Sequence, residues 1–471
     1  MASNSLTSSS NGDHSSKKPK LNHLSFPHHH QQQSHQEQEQ EKTLITAAEI
    51  AAEFSHHDPT ISRINNGSFG CCPSTILAAQ RRHQLLFLRQ PDHFYFSLLR
   101  PAIDSSRRHL LPLINASNLD EISLVDNATT ATAVVLQYVS RAFSERRFSA
   151  GDAAVMLHYA YGSVKKSVHA YVTRVGGHVI EVPLPFPVYD EGDIVREFRN
   201  ALNVAKLENR RVRLAVIDHI TSMPCVVLPV KDLVRICREE GVDHVFIDGA
   251  HAIGCLKVDM EEIGADFYTS NLHKWLFCPP SVAFLYCRKR RKKEGVVEED
   301  DDDVHHPVVS HEYGNGLPVE SAWIGTRDYS SQLVVPEVLE FLGRFEGGID
   351  GIMRRNHEKV IEMGEMLVEA WGTHLGCSPK MCASLAMVGL PLCLGIQSDE
   401  DALKLRTHFR EKFGVEVPIH FRPPKDGEVG CLTGYARISH QIYNTADDYI
   451  KLRDAVNQMV RDGFTCAKLN S

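Results

Sequence analysis

Between Ile122 and Cys287, short apolar stretches alternate regularly with amphipathic stretches. The apolar stretches predict strands at EISLV, AAVML, HVIEVPL, RLAVI, HVFID, ADFYTS and VAFLYC. The amphipathic stretches predict helices at ATAVVLQYVSRAF, SVKKSVHAYVTRV, DIVREFRNALNVAK and VKDLVRICREEG. Strands that alternate with helices of about 10–15 residues indicate βαβ units. We therefore expect an α/β fold in which helices cover both faces of a mostly parallel sheet.

The rest of the chain divides into regions of different composition. Residues 1–43 are rich in Ser, Gln and His and hold too few apolar residues for a core, so they predict a disordered polar tail. Residues 44–344 form the predicted large domain, with a charged surface loop at 288–306 in which RKRRKK is followed by EEDDDD. Residues 345–471 combine helical and strand patterns and predict a smaller α+β domain.

The composition excludes several classes of protein. The 471 residues include 51 Lys and Arg and 59 Asp and Glu, a formal net charge of −8, which does not indicate nucleic acid or an anionic membrane as the main partner. No stretch approaches the roughly 18 apolar residues of a transmembrane helix. The first twenty residues contain no apolar segment, so a secretory signal is not expected.

The expected location is the cytoplasm, the nucleus or both. Most of the 12 cysteines stand among apolar residues, which is typical of buried, reduced thiols. Lys17, Lys18 and Lys20 form the short basic pattern KKPK, which is found in nuclear-import signals. No arginine precedes Arg63, which argues against an organelle transit peptide.

Two segments at the ends of predicted strands carry the residues from which we infer chemistry. VFIDGAHAIG ends an apolar strand with Asp248, and ADFYTSNLHKWL follows the next strand with Lys274. Ligands of open α/β sheets bind beyond the carboxyl ends of the strands, so we expect both side chains at one site. Burial of Lys274 would destabilise its ammonium form, as a nucleophilic lysine requires. Taken singly, an aspartate such as Asp248 after a strand is often a helix cap, and a lone lysine such as Lys274 is usually solvated.

A third segment, DNATTATAVVLQYV, follows the strand EISLV and opens a predicted helix. The amides at the start of this helix, with the hydroxyls of Thr129 and Thr130, are suited to bind a phosphate dianion at the positive end of the helix dipole. An ordinary Asn or Thr helix cap without a ligand explains the same residues.

The segments NATT, DGAH, SNLHKW, WIGTRD and GYARISHQIYNT, in this order, resemble the class V branch of aminotransferase-like enzymes, which depend on pyridoxal 5'-phosphate (PLP). The resemblance extends from about Thr46 to Val460. It is in particular to the plant L-cysteine desulfhydrases, with cysteine desulfurases and isopenicillin N epimerase as relatives. It implies PLP-dependent transferase fold type I, PLP as the cofactor and an amino acid, L-cysteine, as the substrate. No metal site is predicted.

The resemblance also implies roles for individual residues. Lys274 would attach PLP covalently and then act as acid and base at the substrate Cα, while Asp248 would keep the ring nitrogen protonated. Arg437 would bind the α-carboxylate of the substrate, and Asn66 would line the substrate entrance. The other expected contacts of the cofactor are His251 at the ring edge, Tyr161 stacked on the ring face, and Ala128, Thr129 and His273 at the phosphate.

Two of these implied assignments involve further residues. The aromatic residue that stacks on the cofactor is expected in MLHYAYGSV, where His158 and Tyr159 are alternatives to Tyr161. In the family, a threonine that corresponds to Thr326 reaches the phosphate of the neighbouring subunit. The resemblance therefore implies a homodimer with shared active sites.

The region before Arg437 distinguishes between possible reactions. A cysteine desulfurase needs a catalytic cysteine on a loop upstream of this arginine, and Cys431 is the only cysteine in the corresponding stretch, without the flanking histidines of a desulfurase loop. We therefore favour a C–S lyase that converts L-cysteine by α,β-elimination to hydrogen sulfide, pyruvate and ammonia. A cysteine desulfurase, an amino-acid epimerase with a second base, and a non-catalytic nuclear interaction protein remain as alternatives.

Overall fold

The computed structural model describes residues 44–289, 304–425 and 427–469. The predicted polar tail and most of the predicted charged loop lie outside the described residues. Within the described ranges, no helix is both long enough and apolar enough to span a bilayer.

The strands of the described residues are β1 (Ser62–Arg63), β2 (Ile122–Val125), β3 (Ala153–Leu157), β4 (His178–Val182), β5 (Val212–Asp218), β6 (His244–Asp248), β7 (Phe267–Asn271), β8 (Ala283–Cys287), β9 (Leu385–Gly389), β10 (Val415–Glu416), β11 (Ile419–Phe421) and β12 (Gly434–Ser439). The α-helices of the same residues are α1 (Ala47–Glu53), α2 (Asn66–Phe69), α3 (Ser74–Arg89), α4 (Pro91–His93), α5 (Leu99–Leu113), α6 (Ala128–Ser144), α7 (Gly162–Val168), α8 (Glu191–Leu207), α9 (Val230–Glu239), α10 (Met260–Ile263), α11 (Leu272–Trp275), α12 (Leu317–Ala322), α13 (Ser330–Leu333), α14 (Val335–Leu342), α15 (Gly348–Trp371), α16 (Asp399–Phe413) and α17 (Ala446–Arg461). Short π-helical turns, Phe94–Leu98 and His169–Thr173, join α4 to α5 and extend α7.

Seven of the described strands form the central sheet, in the order β2-β8-β7-β6-β5-β3-β4. The strands from β4 to β7 in this order pair in parallel, which confirms the predicted mostly parallel sheet. β8 is antiparallel to both of its neighbours. Only residues 272–282 separate β7 from β8, whereas a parallel return requires a crossover of about a dozen or more residues, usually a helix. The single turn of α11 is too short for that crossover, so β8 returns in the opposite direction.

The central sheet is buried on both faces because helices cover both of them. Ile217 and Ile247 point into one apolar cluster with residues of α8 and α9. Their neighbours in the chain, Val216 and Phe246, point into another cluster with residues of α6 and α7. Alternate side chains of a strand point to opposite faces of the sheet, so strands buried on both sides must be apolar at nearly every position. The short apolar stretches of the sequence are these strands.

A second sheet, of β11, β12 and β9, is antiparallel and lies within the region predicted as the small α+β domain. α15 packs against β9. β1 pairs in parallel with β10, so a strand from the first part of the described chain joins the C-terminal region. All described residues belong to one compact unit. The predicted boundary between residues 344 and 345 therefore stays a prediction.

Candidate active site

The side chains suited to chemistry meet at the carboxyl ends of the parallel strands. Asp218, Asp248 and Asn271 are the last residues of β5, β6 and β7. They line a cavity of about 240 Å³, in the place where open α/β sheets bind ligands. The predicted site residues that line the same cavity are Ala128, Thr129, Tyr161, Asp248, His251, His273, Lys274 and Arg437.

Lys274 lies on α11, directly after β7, and a close contact with α2 fixes its backbone. The side-chain amide of Asn66 donates a hydrogen bond to the Lys274 carbonyl at 3.0 Å. Gly70, which ends α2 with φ of 70°, approaches so closely that a Cβ there would overlap the carbonyl oxygen of His273. Only glycine tolerates both this conformation and this approach. The two short helices therefore hold the lysine in a fixed position.

The imidazole of His251 connects Lys274 with Trp275. The indole N–H of Trp275 donates to Nδ1 of His251 at 3.4 Å, and Nε2 lies 3.0 Å from Nζ of Lys274. Burial holds the pKa of His251 well below its usual range, so the ring is neutral and carries one proton. Because Nδ1 accepts from the indole, that proton is on Nε2 and is donated to Nζ. Only an uncharged amine accepts this hydrogen bond, so the arrangement favours neutral Lys274.

The electrostatics of the cavity shift Lys274 toward its neutral form. Burial lowers the pKa of Lys274 to about 8, because the ammonium ion loses its hydration. The charge of Asp248 opposes this effect, and Arg437 adds to it. Burial also raises the pKa of Asp248, while the N–H of Ala250, which donates to Asp248 at 3.0 Å, favours the charged carboxylate. A lysine with this pKa is partly uncharged near neutral pH and is therefore a competent nucleophile.

The N-terminus of α6 forms another side of the cavity. Oδ1 of Asn127 accepts the N–H of Thr130 at 2.9 Å and caps the helix. The N–H of Ala128, predicted to contact a phosphate, donates instead to Oδ1 of Asn271 at 2.9 Å. Thr129 lines the cavity with its side chain at the positive end of the helix. A helix N-terminus with a hydroxyl group of this kind suits an anion.

His273 also lines the cavity and is oriented by the backbone. Its Nδ1 donates to the carbonyl of Val282 at 2.9 Å, since a carbonyl only accepts. Nε2 is therefore the ring nitrogen left for a ligand. Burial lowers the pKa of His273, and the contact with Val282 partly offsets this.

Arg437, on β12, is buried with its terminal nitrogens already paired. One donates to the carbonyl of Ser222 at 2.9 Å, and the other donates to Oδ1 of Asn65 at 2.8 Å and to the hydroxyl of Ser68 at 2.6 Å. These contacts orient the guanidinium at the cavity. Its Nε is buried and has no hydrogen-bond partner in the described part of the chain. Arg437 lines the cavity, and a planar guanidinium suits the carboxylate of a ligand.

The predicted residues do not all lie where the sequence suggests. Tyr161 is 52% exposed and lines the cavity, whereas the alternatives His158 and Tyr159 are not among its described lining residues. Asn66 is fully buried and is not among the described lining residues of the cavity, so its predicted position at the substrate entrance needs correction. Both ends of its amide are used, by the Lys274 carbonyl on one side and by the hydroxyl of Tyr443, which donates at 3.2 Å, on the other.

Thr326 is not brought to the cavity within one chain. It lines a separate depression of about 450 Å³ together with His311, Trp323 and neighbouring residues. Its predicted contact with the phosphate of a neighbouring subunit stays a prediction.

Several residues at the site escape the sequence-based prediction. Asn65, Ser68 and Ser222 orient Arg437 from distant segments, and no local pattern marks them. Asp218 is different, because it ends the apolar strand RLAVID in the same way that Asp248 ends VFID. The rule that an aspartate at the end of an apolar strand marks the site would therefore have identified Asp218 as well.

The side chains present fit PLP. An uncharged lysine amine suits its aldehyde, the carboxylate of Asp248 suits a protonated ring nitrogen, and the start of α6 with Thr129 suits its phosphate. The guanidinium of Arg437, which lines the cavity, suits the carboxylate of an amino acid. The donor set therefore matches the expected cofactor and class of substrate.

The family model for aminotransferase class-V matches residues 98–452. The chain belongs to this family. It is 63% identical over 454 residues to a probable chloroplastic L-cysteine desulfhydrase of Arabidopsis thaliana. The matched region covers 96% of this chain and 90% of the relative. It is 57% identical over 433 residues to an L-cysteine desulfhydrase of the same plant, with 90% and 94% covered. The predicted family is confirmed.

Solved structures share the fold at low identity. A cysteine desulfurase from Thermococcus onnurineus has a TM-score of 0.62 at 17% identity. The superposition covers 85% of this chain and 95% of the desulfurase chain. The cystine C–S lyase C-DES, solved with cysteine persulfide, has a TM-score of 0.62 at 17% identity, with 84% and 97% covered. These likenesses, together with the family match, confirm the predicted fold class.

Proposed function

We propose that the protein is a PLP-dependent C–S lyase that converts L-cysteine and water to hydrogen sulfide, pyruvate and ammonia. When bound, PLP supplies an electron-accepting ring that stabilises negative charge at the substrate Cα. The observation that carries the proposal is a buried Lys274, with its pKa lowered to about 8, in one cavity with Asp248 and Arg437. The chain is also 57–63% identical to proteins named as L-cysteine desulfhydrases.

Each of these side chains has one task in the reaction. Arg437 binds the α-carboxylate of L-cysteine and so directs Cα toward the lysine. Nζ of Lys274, in its uncharged form, removes the proton from Cα. The carboxylate of Asp248 holds a proton on the ring nitrogen. The electron pair left at Cα expels the β-sulfur as hydrosulfide, and water then releases pyruvate and ammonia.

The position of the cysteines favours elimination over sulfur transfer to the protein. A desulfurase needs a thiol at the substrate to accept sulfur. No cysteine is among the cavity-lining residues that the structure describes. Cys431 is half-buried beside the ion pair of Arg422 and Glu428 instead.

Product analysis tests this function. Purified holoprotein given L-cysteine should release sulfide and pyruvate in equal amounts without added reductant, with D-cysteine and L-serine assayed beside it to establish selectivity. Cys431→Ser serves as the control for sulfur transfer and should retain the activity. Formation of alanine in place of pyruvate, together with loss of activity in the Cys431 variant, would overturn the proposal in favour of a desulfurase.

We infer that the protein is a homodimer with shared active sites. The support is the position of Thr326, which lies in a depression separate from the cavity of its own chain although the family resemblance assigns it to the cofactor phosphate. Light scattering after gel filtration should give twice the chain mass of 52.8 kDa. Thr326→Ala should weaken retention of PLP without changing that mass. A monomer that retains PLP fully would contradict the inference.

The cytoplasm and the nucleus are the proposed location, on the basis of Lys17, Lys18 and Lys20 in the N-terminal segment. A C-terminal fluorescent fusion expressed in plant cells should appear in both compartments. Replacement of the three lysines by alanine should reduce the nuclear share. Fluorescence confined to chloroplasts, the location in the name of one relative, would contradict this location.

A further inference from the structure

Two aspartates at neighbouring positions of the central sheet line the cavity, and the proposed function uses only one of them. Asp218 and Asp248 are register partners in the parallel pair of β5 and β6, and neighbouring strands lie about 4.8 Å apart. Both side chains line the cavity, and Asp218 is only 3% exposed. Oδ2 of Asp218 is buried without a hydrogen-bond partner in the described part of the chain. A buried polar atom in this state is costly unless a partner or a proton satisfies it.

We propose that Asp218 is a positioning residue, which as a neutral carboxylic acid donates a hydrogen bond to Asp248 and holds that carboxylate charged and oriented toward the ring nitrogen of PLP. The pair then shares one proton and carries one negative charge. This inference rests on the proposed function only in taking PLP as the cofactor.

The groups around the pair determine which carboxyl keeps the proton. Asp248 on β6 and Lys274 on α11 face Asp218, and His219, next in the chain, is neutral because burial lowers its pKa to about 4. Burial and the charge of Asp248 both raise the pKa of Asp218 well above its usual range, and Lys274 opposes them. Asp248 accepts the N–H of Ala250, a contact that favours its charged form. Asp248 is therefore the charged member and Asp218 the neutral one.

One nearby lysine cannot balance two buried carboxylates. Lys274 is itself partly uncharged, because its pKa is about 8. Two like charges at neighbouring positions in a buried site do not both ionise, and one of them retains its proton. With Asp218 protonated, Asp248 accepts from Asp218, from Ala250 and from the ring nitrogen.

Infrared spectroscopy of the holoprotein without substrate tests the protonation state. The C=O stretch of a buried carboxylic acid is distinct from that of a carboxylate and moves in heavy water. The wild-type protein at neutral pH should show this band, and Asp218→Asn should lose it. Asp232→Asn, an exposed aspartate on α9, is the matched control and should keep it. A band that persists unchanged in Asp218→Asn would overturn the proposal.

The affinity for PLP tests the hydrogen bond to Asp248. Asn can donate to Asp248 as the neutral acid does, whereas Ala cannot, and a hydrogen bond to a charged group is worth about tenfold or more in binding. In titrations of the apoprotein, Asp218→Ala should therefore bind PLP about tenfold more weakly than Asp218→Asn. Equal weakening in both variants would overturn the proposal. Circular dichroism establishes that the Ala variant is folded, and the infrared test relies on the Asn variant alone. Neither test uses L-cysteine, so a wrong substrate would not affect them.

Discussion

Lys274→Ala should reduce the turnover of L-cysteine by about 10³-fold or more, because it removes the base that takes the proton from Cα. The same change removes the amine that attaches PLP, so the visible absorption of the purified protein should be lost. Treatment of the wild-type protein with borohydride, digestion and mass spectrometry should place the reduced cofactor on the peptide that contains Lys274. The assay of sulfide and pyruvate gives the rate.

Lys359→Ala is a suitable control, because this lysine lies on the surface of α15 and forms an ion pair with Glu362 outside the cavity. It should leave both colour and rate unchanged. A Lys274 variant that stays coloured and turns over L-cysteine at a comparable rate would show that another amine carries the cofactor.

Asp248→Asn should lower kcat by about 10²–10³-fold, the effect of removing one preorganised charge from a buried site. The amide cannot hold a proton on the ring nitrogen, so negative charge at Cα is less stabilised. Some PLP should be retained, because Lys274 still attaches it. Single-turnover and steady-state assays with L-cysteine measure the loss, and the absorption spectrum reports the bound cofactor.

The exposed Asp232 again offers the control, since Asp232→Asn removes the same charge from the far surface of α9. Its rate should match that of the wild-type protein. Near-normal kcat in Asp248→Asn would mean that the ring nitrogen is partnered by another group, and Asp218 would be the first residue to consider.

The strands and the two central residues of the site could be predicted from the sequence because their signals are local. A strand buried on both faces is an uninterrupted apolar stretch, and Asp248 and Lys274 interrupt or follow such stretches. The reversed direction of β8 was not predicted, since it depends on the length of the connection after β7. Asp218 carried the same local signal as Asp248, a carboxylate at the end of an apolar strand, but was not singled out.

The rest of the site depends on contacts between distant segments. Arg437 receives Asn65 and Ser68 from more than 350 positions earlier in the chain, and no periodicity in either segment indicates the other. The contacts of Asn66 are equally hard to predict from the sequence, because its partners Lys274 and Tyr443 are distant in the chain and only the fold brings them together. Hydrogen bonds of this kind depend on the tertiary packing and are not encoded in any short motif.

The contact between Arg437 and the segment around Asn65 bears on how the protein matures during translation. Asn65 and Arg437 lie 372 positions apart in the chain, so Asn65 is synthesised long before Arg437. Asp248 and Lys274, in contrast, lie close together in the sequence. Contacts between such remote segments form late. The contacts that orient the carboxylate-binding guanidinium therefore form only after the segment that contains Arg437 has been synthesised.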